Sequence, residues 1–72
     1  MEKTHRLIFG KNVNRLRQRC GFTQEKLAEL IEVDRRHIQR IENGSANPGV
    51  DVICGLKVAL SAEWADLMEE RQ

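Results

Sequence analysis

Residues 23–44, TQEKLAELIEVDRRHIQRIENG, hold two short helical patterns separated by three residues, and no other stretch constrains the chain as tightly. Thr23 is a helix N-cap type, with Gln24 and Glu25 in the first turn, where partial positive charge collects. Leu27, Ala28 and Ile31 then recur at helical spacing. Glu32-Val33-Asp34 interrupts the pattern, and Asp34 can cap a second helix. In that helix Ile38 and Ile41 point one way. At about 100° per residue, Arg36 and Arg40 point nearly the opposite way, and Arg35 lies to one side in the first exposed turn. Gly44 is the expected stop, because the residue after a helix usually needs a positive φ.

Two short helices with a three-residue joint, the second carrying three arginines outward, suggest a helix-turn-helix that reads DNA. A net charge of +1 says little for nucleic acid, but its distribution says more. Residues 1–45 hold ten Lys/Arg against six Asp/Glu, or +4, while residues 46–72 hold two against five, or −3. The reading helix lies in the basic part, and the acidic part suits a partner better than phosphates. Seventy-two residues fit one domain, residues 1–72 with a core at about 7–68. A core this small often leans on oligomerisation or close helix packing. One proline and few aromatic or β-branched runs favour an all-α chain. No apolar run is long enough to span a membrane, and the N-terminus lacks a signal-peptide pattern. Cytoplasmic residence with both cysteines reduced is therefore expected.

Along the chain, helix 1 is expected over residues 5–20, with Thr4 as its cap and Phe9, Val13, Leu16 and Cys20 as a buried stripe. Leu7 and Ile8 close one end of the core, and Phe22 turns back into it after Gly21. Helices 2 and 3 fall at about 24–31 and 35–43. A loop of turn residues over 45–49 leads to helix 4 at about 50–60, with Val50, Ile53, Leu56 and Leu60 inward. Ser61 is a break and candidate cap for a short helix 5 at about 62–69, with Trp64 and Leu67 inward. The tail Glu69-Glu70-Arg71-Gln72 is expected to fray.

Several pieces resemble the Cro/repressor (XRE) family of helix-turn-helix regulators. They are Phe9-Gly10 and Leu16-Arg17, Gly21-Phe22-Thr23-Gln24-Glu25-Lys26-Leu27-Ala28, Ile38-Gln39-Arg40-Ile41-Glu42-Asn43-Gly44, and Asn47-Pro48. The likeness covers roughly residues 8–68. It implies a compact, lambda-repressor-like five-helix domain, commonly a dimer on a palindromic operator. Phage repressors, restriction–modification controllers and antitoxins share it. By that resemblance Gln24 binds phosphate and props side chains of the reading helix. The loop Asn43, Gly44, Ser45 and Asn47 holds phosphates through backbone N–H groups and side chains. Arg17 and Glu42 match the family's pair linking helix 1 to the end of helix 3. Three positions depart from the family: Glu32 where Gly is usual, Gly49 where Ser or Thr caps helix 4, and Lys57 where Ala is buried.

The candidate contacts follow. Arg35, Arg36, Arg40 and Gln24 are expected to read bases, the arginines because a planar fork matches O6 and N7 of guanine. Thr23, Gln24, His37, Gln39, Asn43, Ser45 and Asn47 are expected at phosphates, and Lys11, Arg15 and Arg19 are candidates for the flanking backbone. His5, Cys20, His37 and Cys54 have no close pair, so zinc is disfavoured and no metal or other cofactor is expected. The cysteines are read as small core residues. No Ser/His/Asp set, phosphate loop or paired carboxylates suggest an enzyme, and no small-molecule ligand is evident. The expected partners are double-stranded operator DNA and a second copy of the chain. One such domain reads only a few base pairs, and Val52, Val58 and Met68, off the inward face, are the candidate homodimer interface. The alternative is a protein-interaction module or antitoxin-type partner on the same fold.

Overall fold

In the computed structural model, which describes residues 2–71, the helices are α1 (Lys3–Arg19), α2 (Gln24–Leu30), α3 (Arg35–Glu42), α4 (Val50–Ala59) and α5 (Trp64–Met68). The described residues contain no strand, so the all-α, five-helix expectation holds. Gln72, the end of the tail, lies outside them.

Four of these helices close by the same local device. After α1 the Phe22 N–H donates to Arg17 O (3.1 Å) and the Gly21 N–H to Gln18 O (3.0 Å). Val33 and Glu32 repeat the pattern on Ala28 and Glu29 after α2, Ser45 and Gly44 on Arg40 and Ile41 after α3, and Ala62 and Ser61 on Lys57 and Val58 after α4. This is the Schellman closure, in which the pivot residue takes φ > 0. The four pivots have φ of 76° at Gly21, 60° at Glu32, 80° at Gly44 and 52° at Ser61. Each closure throws the chain back on itself, which lets such short helices pack around one centre. Ser61 is thus the pivot after α4 and caps nothing. The α5 start is held instead by Asp66, whose Oδ2 accepts the Glu63 N–H at 3.0 Å.

Glu32 and Ser61 occupy a conformation that costs a side-chain-bearing residue on the order of 1 kcal/mol. Glu32→Gly is therefore expected to stabilise the fold by up to about 1 kcal/mol, raising Tm by roughly 4–8 °C in a thermal melt. An unchanged or lowered Tm would show that the unfolded chain's gain in freedom cancels the relief.

Phe9, Val13 and Leu16 of α1, Leu27 of α2, Ile38 and Ile41 of α3, Leu56 of α4, Leu60 and Leu67 form the buried centre. α1 packs against α3 and α5, and α2 against α3. Gly10 makes the α1–α3 crossing possible, since a Cβ there would overlap Ile41 O and sit 2.9 Å from Glu42 O. Buried Asn12 holds the other side, its Nδ2 donating to Leu67 O (2.7 Å) and Glu69 O (2.9 Å). Arg15 adds a bond to Asp66 O at 3.1 Å. The expected fraying tail is thus pinned at Glu69, and Arg71 pairs with Asp66 at 2.7 Å.

Several expected core residues lie outside. Helix α1 begins at Lys3, so Thr4 is inside it and is not its cap. Cys20 and Cys54 are exposed rather than buried. Leu7 is 41 % exposed, lying against Gly44 at the rim of the core. Val50 is 75 % exposed, because at 100° per residue it lies about 120° around α4 from Leu56. Val52 takes the inward place and packs on the core. Trp64, the first residue of a five-residue helix, is 47 % exposed, with Lys57 Nζ 5.3 Å from its ring centroid. Ala62 and Leu67 anchor that end instead.

Candidate nucleic-acid interface

Asp34 starts the reading helix. Its Oδ1 accepts the Arg36 N–H at 2.8 Å. That bond lowers the Asp34 pKa, with the Arg36 charge helping against a smaller desolvation effect. Arg35, Arg36 and Arg40 are all exposed on α3. Arg36 is tied only by a 3.5 Å approach to Asp34 between two open side chains, which contributes little. Its guanidinium is free to turn toward a ligand. Asp34, Arg36, His37 and Arg40 line one groove on this face. Half-buried His37 belongs to that face, and Gln39 is exposed on the same helix.

Glu42 ends α3 and fixes its angle. Its Oε2 accepts Arg17 Nε at 2.6 Å, and its Oε1 accepts Asn14 Nδ2 (2.8 Å), Gln24 Nε2 (3.0 Å) and Arg17 Nη2 (3.1 Å). The Arg17 and Glu42 side chains are 12 % and 5 % exposed. Arg17 also donates from Nη1 to Phe22 O at 2.8 Å, which ties the clamp to the turn after α1. Burial pushes the Glu42 carboxyl up. The bonds from Arg17, Asn14 and Gln24, with the Arg17 charge, overcome that and hold it below the usual glutamate range. The expected Arg17–Glu42 pair is therefore one edge of a four-residue cluster. Asn14 was missed in the sequence, since a polar residue on a helix carries no sign of its partner.

Gln24 is half-buried and donates an amide N–H to Glu42 at the end of α3, a brace of the kind that the resemblance implied beside its DNA contacts. A second amide hydrogen remains for phosphate. Thr23 Oγ1 accepts the Lys26 N–H at 2.9 Å, leaving its hydroxyl hydrogen to donate. The loop N–H groups are spent: Asn43 on Gln39 O, Gly44 on Ile41 O, and Ser45 and Ala46 on Arg40 O. Ser45 N–H also meets Asn43 Oδ1 at 3.0 Å, and its hydroxyl donates to Arg40 O at 3.3 Å. Closing α3 on itself consumes the N–H groups of Asn43, Gly44 and Ser45 that the resemblance assigned to phosphates, and the exposed Asn43 side-chain N–H₂ remains to donate. Arg15 braces α5, while the other two α1 candidates for the flanking backbone, Lys11 and Arg19, stay exposed. The Asp66 pKa, lowered first by the Glu63 N–H, is lowered further by the nearby Arg19 charge. No group of three or more His, Cys, Asp or Glu among the described residues is placed to hold a metal ion. No helix among them is long and apolar enough to cross a membrane.

A helix-turn-helix family model matches residues 13–59, which take in the clamp, the turn and the reading helix. Control protein C.BamHI of Bacillus amyloliquefaciens is 34 % identical over 70 residues, covering 96 % of this chain and 86 % of that protein. Control protein C.MunI of a Mycoplasma species is 30 % identical over 70 residues, covering 90 % and 95 %. The crystal structure of the restriction–modification controller protein C.AhdI from Aeromonas hydrophila superposes with a TM-score of 0.84 at 32 % identity, over 90 % of this chain and 98 % of that one.

Proposed function

The chain belongs to the Cro/repressor (XRE) type of helix-turn-helix family, whose members here are controllers and transcriptional regulators, and from that premise we propose how it reads DNA. It is a DNA-binding transcriptional regulator. Helix α3 enters the major groove N-terminus first, with Arg35 and Arg36 at base edges and Arg40 one turn further, at a base or a phosphate. Thr23, Gln24, His37, Gln39, Asn43 and Asn47 position the domain on the backbone. One observation carries this reading: three exposed arginines stand on a helix whose far end is locked by four hydrogen bonds to Glu42. A locked helix delivers its side chains without first losing freedom of its own.

Arg36→Ala is expected to cost about 1–3 kcal/mol on a cognate operator and to relax preference at one position per half-site. Gln39→Ala is expected to weaken operator and random DNA alike. Competition binding with both duplexes separates the two behaviours. If Arg36→Ala weakened both duplexes equally, the arginine would be a phosphate contact.

The functional unit is a homodimer that sets two reading helices about 34 Å apart on a pseudo-palindrome. Val52 is withdrawn from the interface because it packs inward. Val58, 78 % exposed, stays in it, and exposed Leu30 shares its groove. Leu30, Cys54, Gly55 and Val58 line one groove between α2 and α4, while exposed Met68 lies on α5. Sedimentation equilibrium is expected to give a concentration-dependent dimer that Val58→Glu dissociates. A monomer at every concentration, with full operator affinity in the variant, rules the dimer out. Absence of chemistry beyond binding also belongs to this reading, as does residence in the cytoplasm.

A further inference from the structure

We propose that Asn14 is a positioning residue for DNA reading, acting through Glu42 to set the register of α3 in the groove. This rests on the reading proposed above and adds to it a residue of α1 that carries no charge. Asn14 Nδ2 donates to Glu42 Oε1 at 2.8 Å, and Gln18 Nε2 donates to Asn14 Oδ1 at 2.7 Å. A carboxylate only accepts and that Gln nitrogen only donates, so the Asn14 amide has one orientation that satisfies both. The side chain is half-buried, and its neighbour Gly10 brings the α1 backbone against the end of α3.

The geometry explains why a third donor matters. Arg17 grips Glu42 as a fork from one guanidinium, and a fork alone permits rotation about its own axis. Gln24 from α2 and Asn14 from one turn earlier in α1 meet the same Oε1 from separate anchor points. Three anchors on two helices define an orientation. A small rotation at Glu42 becomes a shift of side chains two turns away, at Arg35 and Arg36. Among the groups bonded to Glu42, Arg17 is the one that carries charge. Lys11 is exposed on α1, Glu25 is exposed on α2, and Arg36, His37 and Arg40 line the groove of α3.

Asn14→Asp tests the assignment, because it places a second carboxylate against Glu42. Two carboxylates in contact cannot both ionise freely, so one retains its proton to higher pH. The measurement is affinity for a selected operator and for a random duplex, between about pH 4.5 and 8, for wild type, Asn14→Asp and the charge control Thr4→Asp. At neutral pH Asn14→Asp is expected to lose about tenfold in its preference for operator, because repulsion between the two carboxylates turns the end of α3 out of register. That preference should return toward wild type as the pH falls. Thr4→Asp is expected to keep its preference at every pH. A wild-type preference with an unaltered one in Asn14→Asp would overturn the positioning role alone. No preference in wild type would overturn the DNA reading and this role with it. If circular dichroism finds Asn14→Asp unfolded at neutral pH, Asn14→Ala replaces it. That variant is expected to stay folded and lose discrimination, and full discrimination would overturn the proposal.

Discussion

Gly10→Ala is expected to destabilise the fold by about 2–3 kcal/mol, although alanine is the better helix former. Two effects compete. Alanine in a helix interior gains about 1 kcal/mol over glycine. Against that, the new Cβ overlaps Ile41 O and lies 2.9 Å from Glu42 O, both backbone atoms that cannot rotate away. Relief requires α1 and α3 to separate, and overpacking of this kind costs typically 1–3 kcal/mol, occasionally more. The clash outweighs the propensity, and Tm should fall by roughly 10–20 °C for a domain of this size. Gly55→Ala is the counterpart. Its Cβ would meet Ile31 Cβ at 3.4 Å, an ordinary contact, so propensity decides and the variant gains about 0.5–1 kcal/mol. Opposite signs for two mid-helix glycines would establish that the α1–α3 approach is what Gly10 serves. A stabilised Gly10→Ala would mean that the helices sit further apart.

Glu42→Ala removes the acceptor from Arg17, Asn14 and Gln24 together. A guanidinium left buried and unpaired costs about 3–5 kcal/mol. Arg17 keeps its bond to Phe22 O and some exposure, so the lower end is expected, about 3 kcal/mol in chemical denaturation. Replacing Arg17 as well should cost less than the two single changes added, and a double-mutant cycle without coupling would deny the contact. The linkage to pH follows from the direction of the shift. Glu42 in the folded chain ionises below its ordinary value of 4.5, so its contribution is fully present above that value. It is lost as the pH falls through the lower folded-state pKa. The gap between wild type and Glu42→Ala should therefore hold from neutral pH down to about 4.5 and close below it.

The helix-turn-helix was legible because its signals are local. Thr23 and Asp34 accept the first-turn N–H groups, and Gly21 and Gly44 pivot the chain at the helix ends. Each of these depends on residues within one turn. The Arg17–Glu42 pair was reachable through family likeness. What periodicity could not reveal was which neutral residues meet across helices. Asn12 and Asn14 sit on α1 as ordinary polar residues, yet one holds carbonyls at the end of α5 and the other holds Glu42. Gly10 entered the sequence reading only as part of a family match and is the contact point between two helices. The misplaced apolar residues have a common cause. Val50, Trp64 and Leu7 stand in the first or second turn of their helices, where spacing alone leaves the angle of the buried face open. Phosphate donors in the loop after α3 were overcounted because the closure of that helix uses the same N–H groups.

Sequence selection from random duplexes, followed by a mobility shift of the selected duplex at two salt concentrations, bears most directly on DNA reading by α3. The expected result is a pseudo-palindromic site bound in the presence of excess competitor, with affinity falling as salt rises through release of counterions from several phosphates. Arg36→Ala should bind the same site with a changed base preference in both half-sites. Enrichment of no common sequence, or equal affinity for selected and random duplexes at both salt concentrations, would contradict it.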